Sequence, residues 1–194
     1  GIHPDVAGPG AGAGGGGGRD GADAGGAVSV PTLRTERLVL RQAVWEDLDA
    51  VHRLMSDPRV MRYWSRPEHE TVEETRHWLG FLVDQADGSR DWLIETDGTV
   101  IGKAGAWELP EVGFLLHPDH WGRGLAFEAM TAVIAALEAE FAGVVLTAEV
   151  DPRNAASLRL LDRLGFHETH RAERTLLWRD EWCDSVYLAR PRGG

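Results

Sequence analysis

Residues 111–128 read EVGFLLHPDHWGRGLAFE. Glu111 to Leu116 is an apolar, strand-like run, and after His117 to Trp121 come Gly122-Arg123-Gly124-Leu125-Ala126. From Gly124 to Phe141 the apolar residues Phe127, Met130, Val133, Ile134, Leu137 and Phe141 recur at helical spacing. A strand that feeds a helix through two glycines aims main-chain N–H groups and a helix N-terminus at one point. Such a point binds an anion, most often a phosphate.

Working outward, Val144 to Val150 reads as the next strand, so a strand–helix–strand unit places two parallel strands side by side with a right-handed crossover. Asp151-Pro152-Arg153-Asn154 then turns into a short helix, Ala155 to Leu164, stopped by Gly165. Two strands follow, near Thr169 to Trp178 and Ser185 to Ala189. On the N-terminal side, Arg37 to Ala43 alternates as a strand, and Glu46 to Met55 has helical spacing that Asp57-Pro58 ends. A loop carries Tyr63, Trp64 and Pro67. Thr71 with Glu74 forms a capping box for a helix that includes Trp78 and runs to about Ala86, with a stop at Asp87-Gly88. Strands Asp91 to Thr96 and Thr99 to Glu108 flank Asp97-Gly98, a hairpin signal. The fold class is α/β: a mixed, largely antiparallel sheet with one parallel, splayed pair and helices on both faces.

Composition sets the outer limits. The 194 residues read as a disordered Gly/Ala-rich arm, 1–30, and one domain, 31–194. The arm lacks the basic start and apolar core of a signal peptide, and nothing approaches the roughly 20 apolar residues of a membrane span. Formal charge is −11, of which Asp5, Asp20 and Asp23 against Arg19 give the arm −2 and leave the domain −9. That balance disfavours nucleic acid and suits a cationic partner such as an amine. Cys183 is the only cysteine, so no internal disulfide and no cysteine metal site is expected, and a cytoplasmic setting fits. No HxxxH or HExxH helix supports a metal. A monomer and a homodimer are both compatible with the sequence.

Three phosphate sites are compatible in outline with Gly122–Phe127. A Walker loop fails, since no Lys-Ser or Lys-Thr follows the glycines. A dinucleotide fingerprint has Gly122, Gly124 and an acid at Glu149, but Phe127 fills its third small position and the preceding elements form an antiparallel meander. The third is the pyrophosphate loop of an acyltransferase. TLRTERLVLR (32–41), HPDHWGRGLAFEA (117–129), VDPRNAASLRLLDRLGF (150–166) and DSVYLA (184–189) together resemble the GNAT acyltransferases, in the branch of RimJ/RimL-like ribosomal-protein N-terminal acetyltransferases. The resemblance covers about Leu33 to Arg190.

The resemblance implies an N-acetyltransferase that moves an acetyl group from acetyl-CoA to a primary amine, a peptide N-terminus or a small molecule, by direct attack in a ternary complex. Phe114, Leu115 and Leu116 would run beside the pantetheine arm, with the Leu116 N–H polarising the thioester carbonyl. Gly122, Arg123, Gly124, Leu125, Ala126 and Phe127 would wrap the pyrophosphate, and Asn154 would hydrogen-bond the pantetheine. Glu149 would be the base and Ser157 would sit near the CoA sulfur. Three family positions differ: Trp121 stands where many GNAT enzymes carry Gln or Arg, although this branch often has Trp; the usual Tyr acid falls on Leu161; and a second carboxylate of RimL-like enzymes falls on Leu176. The last two losses keep a non-catalytic acyl-CoA-binding module, and an antibiotic-amine acetyltransferase of the same fold, as alternatives. Glu111, His117, His120 and Asp184 are expected on the surface or in structural roles, and Cys183, far along the chain from the motif, is not expected as a nucleophile. Tyr63, Trp64 and Trp78 are candidates for the acceptor groove's aromatic wall.

Overall fold

A two-residue turn starts the sheet. Asp97 and Gly98 take φ of 49° and 74°, so β3 (Arg90–Thr96) returns directly as β4 (Thr99–Glu108), with Thr96 opposite Thr99. The computed structural model describes residues 29–85 and 89–191. The arm read over 1–30, except its last two residues, and the Asp87-Gly88 stop lie outside them. Val30, the last residue assigned to the arm, is buried in the core.

Eight strands form one sheet in the order β1-β2-β3-β4-β5-β6-β8-β7. The remaining strands are β1 (Leu33–Arg34), β2 (Val39–Arg41), β5 (Glu111–Leu116), β6 (Leu146–Val150), β7 (His167–Trp178) and β8 (Glu181–Arg190). Every neighbouring pair is antiparallel except β5–β6. The mixed sheet with one parallel pair is the architecture the sequence implies. The strand expected over 37–43 is shorter, and the last hairpin is longer at both ends than its apolar alternation suggested.

Among the described residues five α-helices cover the two faces: α1 (Leu48–Met55), α2 (Pro58–Met61), α3 (Val72–Asp84), α4 (Leu125–Glu140) and α5 (Ala155–Arg163). The capping box of α3 forms as read, with the Glu74 N–H donating to Thr71 Oγ1 at 3.2 Å. Asp57-Pro58 does more than end α1. Asp57 accepts from the Arg59 N–H at 2.8 Å and Pro58 takes the first helical position, so the pair starts α2.

Alternation divides the sheet's faces. Val112 and Leu116 of β5, Leu146, Ala148 and Val150 of β6, and Val186 and Leu188 of β8 pack with the apolar side of α4, where Met130, Val133 and Leu137 are wholly buried. Each such side chain contributes roughly 1.5–3 kcal/mol by leaving water. Leu93 and Leu115 point the other way, into a second core with α1 and α3. Thr147 and Glu149 therefore face the α1–α3 side.

Candidate active site

The parallel pair is joined only at its beginning. Glu111 pairs with Thr147, whose N–H donates to Pro110 O at 3.0 Å, and no further β5–β6 bridge forms among the described residues. On the opposite edge of β5, the His117 N–H donates to Ile101 O at 2.8 Å, which sets the alternation of the β4–β5 ladder. Lys103–Leu115 and Gly105–Gly113 are then the hydrogen-bonded pairs, and the main-chain groups of Phe114 and Leu116 point away from β4, toward β6. A gap in the middle of the sheet is thus edged by the N–H groups of Phe114 and Leu116. The Leu116 carbonyl accepts from the Trp121 indole N–H at 2.7 Å.

At the end of β5, Pro118–His120 makes a 3-10 turn and the chain enters the glycine loop. Gly122 and Gly124 have φ of 70° and 76°, a region in which a side chain is strained, and a Cβ at Gly122 would touch nothing within 4 Å. Gly124 is the N-cap of α4. The first helical bond runs from the Glu128 N–H to Gly124 O at 3.1 Å, which leaves the N–H groups of Leu125, Ala126 and Phe127 without intrahelical acceptors. Leu125 itself is buried and Phe127 half-buried, with the Arg163 guanidinium 4.3 Å over its ring, so these residues offer the loop their main chain. Arg123 is exposed. The open cradle, the unpaired amides and the helix end fit a diphosphate.

Arg37 braces this loop, a role the sequence did not disclose. Its Nη1 donates to Arg123 O at 2.9 Å and its Nε to the Glu128 carboxylate at 2.7 Å, while Thr35 Oγ1 donates to the same carboxylate at 2.5 Å. Burial pushes the Glu128 carboxyl up, but Thr35 and Arg37 outweigh it and hold the group below its usual range. Beside the loop, burial and the Arg123 charge hold His120 below the usual histidine range. Asn154 caps α5, its Oδ1 accepting from the Ser157 N–H at 3.2 Å, so the two residues expected near the cofactor arm are joined in one cap. Ser157 is half-buried.

Glu149 lies on the other side of the gap, directly opposite Tyr187 of β8. Ser185 Oγ donates to Glu149 Oε1 at 2.5 Å, and Thr175 Oγ1 lies 2.6 Å from Ser185 Oγ. Burial first, then the Glu149 charge, raises the Tyr187 phenol above its ordinary range. The pocket at Glu149 is also lined by Tyr63, Trp64, Leu176 and Cys183. Leu176, where the resemblance placed a lost carboxylate, therefore sits at this pocket, whereas Leu161, at the lost Tyr position, is buried in the core. Chain distance misled for Cys183: it lines Glu149's pocket, its Sγ 3.1 Å from Arg153 Nη2. Tyr187 was not singled out in the sequence, because the register of β6 against β8 that brings it to Glu149 is not written in either strand alone.

Next to this pocket is a cavity of about 240 Å³ lined by Trp64, Trp107, Glu108, Glu111, Thr147 and Lys103. Trp64 stands between the two spaces and over Gly113, where a Cβ would come within 3.4 Å of its ring. Trp78 is core. Lys103 is buried, its Nζ 2.8 Å from the buried Asp91 Oδ1 and 5.6 Å and 5.7 Å from the Trp64 and Trp78 ring centroids. Asp184 accepts from the Arg174 N–H at 2.9 Å, where Arg174 has φ of 55° in an irregular stretch of the β7–β8 ladder, a structural role.

Among the described residues no group of three or more His, Cys, Asp or Glu is arranged to hold a metal ion, and no helix is long and apolar enough to cross a membrane.

A family model described as an acetyltransferase (GNAT) domain matches residues 37–167. The uncharacterized N-acetyltransferase p20 of Bacillus licheniformis is 33% identical over 151 residues, 71% of this chain and 83% of the relative. YoaA of Bacillus subtilis, also named an uncharacterized N-acetyltransferase, is 31% identical over 153 residues, 71% of this chain and 84% of its own length. A GNAT-family acetyltransferase from Bacillus anthracis superposes with a TM-score of 0.71 at 24% identity, covering 82% of this chain and 97% of that one. RimL, the ribosomal L7/L12 alpha-N-protein acetyltransferase, in complex with coenzyme A, superposes with a TM-score of 0.73 at 17% identity, covering 82% and 97%. At these identities the two structures share the fold.

Proposed function

Because the chain belongs to the GNAT acetyltransferase family, we propose that it transfers an acetyl group from acetyl-CoA to a primary amine by direct attack in a ternary complex. The open β5–β6 gap carries this reading. It has a diphosphate cradle at one end and a hydrogen-bonded carboxylate on its far side. In the proposed complex Gly122 to Phe127 hold the pyrophosphate, Phe114 to Leu116 line the pantetheine arm, and Asn154 donates its side-chain amide to it from the α5 cap, beside Ser157. The Leu116 N–H receives the charge that develops on the thioester oxygen.

The bookkeeping of the step is simple. The amine lone pair bonds to the thioester carbon, the carbon–sulfur bond breaks with its electrons on sulfur, and the amine gives up one proton. Glu149 takes that proton, and the thiolate is protonated from water. Holding both reactants in one gap supplies much of the acceleration, since oriented reactants behave as at high effective concentration. An ammonium acceptor is drawn in by Glu108 and Glu111 beside Trp64 and Trp107, which favours a cationic amine, and it releases one proton to solvent before its lone pair can attack. The single cysteine and the donor itself fit a cytoplasmic enzyme.

The test is thiol release from acetyl-CoA with a panel of acceptors, the products identified by mass. Trialanine represents a peptide N-terminus, spermidine a cationic small amine, and kanamycin an antibiotic amine. Transfer to spermidine or kanamycin but not trialanine would place the acceptor among small amines, and the reverse among N-termini. Tight CoA binding with no acetylated product across the panel would refute primary-amine transfer.

A further inference from the structure

Three hydroxyl side chains from the last two strands gather at Glu149, and counting protons gives two of them a direction. A carboxylate only accepts, so at 2.5 Å Ser185 commits its one hydroxyl hydrogen to Glu149 Oε1. The Ser185 oxygen is then the acceptor in its 2.6 Å contact with Thr175, and Thr175 is the donor. The Cys183 carbonyl, 3.2 Å from Thr175 Oγ1, is the longer alternative for that hydrogen. The chain runs Thr175 to Ser185 to Glu149, and each donor polarises the next. Ser185 is 4% exposed, so water does not readily replace it. Tyr187 stands directly opposite Glu149 across the ladder, on the same face of the sheet. Its ring is held by the His170 imidazole, stacked at 4.4 Å and 7°.

We infer that Thr175 and Ser185 are positioning residues that fix Glu149 as the proton acceptor of acetyl transfer, with Tyr187 as a second hydroxyl donor to the same carboxylate. The inference rests on the proposed role of Glu149 and adds what makes that role work. A lone carboxylate at the rim of an apolar gap turns freely. One held by hydroxyl donors keeps a single orientation while the amine approaches. The other charged or titratable groups around it are Arg62, Tyr63, Asp151, Cys183 and Asp184 at the pocket, and Glu111, which acts on Tyr187 from β5. These are common to all the variants below.

The experiment is the pH profile of kcat/KM, with acetyl-CoA and whichever of trialanine or spermidine gives faster thiol release. It compares wild type with Ser185→Ala, Thr175→Val, Thr175→Ser, Tyr187→Phe and Glu149→Gln, each also titrated with CoA by calorimetry. Removing a donor from the carboxylate should move the acid limb of the profile to higher pH, most for Ser185→Ala, with a loss of about tenfold in rate on that limb. Thr175→Val and Tyr187→Phe should move it the same way by less, Thr175→Ser should restore it, and CoA affinity should stay within about twofold. Thr175→Val is nearly isosteric and keeps the test open if Ser185→Ala fails to fold. If Glu149→Gln retains the acid limb, the base assignment itself fails. If Glu149→Gln loses the limb while Ser185→Ala and Thr175→Val leave it in the wild-type position, the base stands and the hydroxyl chain is refuted.

Discussion

Two glycines share a backbone conformation but not a location, and that allows a controlled perturbation. Gly124, at the mouth of α4, has φ of 76°, and Gly98, in the β3–β4 turn, has φ of 74°. A Cβ at Gly98 meets nothing within 4 Å, and one at Gly124 meets only Arg37 Nη2, at 3.7 Å. Glutamate at either position suffers the same left-handed strain, roughly 1–2 kcal/mol, and adds the same single negative charge. Only the one at 124 faces the proposed diphosphate. Two like charges about 4 Å apart at an effective dielectric constant near 20 repel by about 4 kcal/mol, close to a thousandfold in affinity. Arg37 would offset part of this, so a hundredfold loss is the expected minimum. Calorimetric titration with CoA, beside thermal melts of both variants, reads the result. The melts should fall together, whereas affinity should collapse for Gly124→Glu and be unchanged for Gly98→Glu. CoA binding by Gly124→Glu within about threefold of Gly98→Glu would refute the placement of the diphosphate.

Lys103→Met should cost about 3–5 kcal/mol because it strands Asp91 in the core. Lys103→Met with Asp91→Leu should recover much of that loss in urea unfolding. Cys183→Ala should keep kcat within about twofold despite its place in the Glu149 pocket, and no acetylated thiol should accumulate on the wild-type enzyme in quenched-flow mass spectrometry; a large loss would favour a covalent route over direct attack. The Glu128 carboxyl is held below its usual range, so the stability it contributes is fully present above about pH 4.3 and is lost as pH falls through the lowered value. Acid unfolding of Glu128→Gln should therefore be flatter across that interval than that of wild type, starting from a less stable protein at pH 7.

What could be read in the chain was local. The capping box at Thr71 and Glu74, the turn at Asp97-Gly98 and the glycines before α4 each announce themselves within a few residues, because the backbone need they meet lies within a few residues. Asp57-Pro58 shows how a local signal can be taken the wrong way: the same pair ends one helix and caps the next. The surroundings of Glu149 were not legible at all. Ser185, Thr175 and Tyr187 reach it through the β6–β8 and β7–β8 registers, and the irregularities in the latter ladder between Ala172 and Leu176 make counting along the strands unreliable. Nothing in the sequence of β4 alone marks Lys103 for burial, and only the placement of Asp91 on β3 makes it possible. Cys183 was judged by its separation in sequence, which the β8 strand cancels.

The lone bridge between Glu111 and Thr147 makes the sheet a seam as well as a platform. Five strands lie to one side and three to the other, joined besides that bridge by the α4 crossover, the cores and ion pairs such as Arg179–Glu68. An occupant that hydrogen-bonds along the open edge would stitch the halves together. Amide hydrogen exchange at Phe114, Leu116 and Glu149 should then slow when CoA is bound, and slow more than exchange in the β3–β4 hairpin. A protein built this way would tie its rigidity to its cargo: with the carrier in the seam the halves would move as one, and with the carrier gone they would loosen.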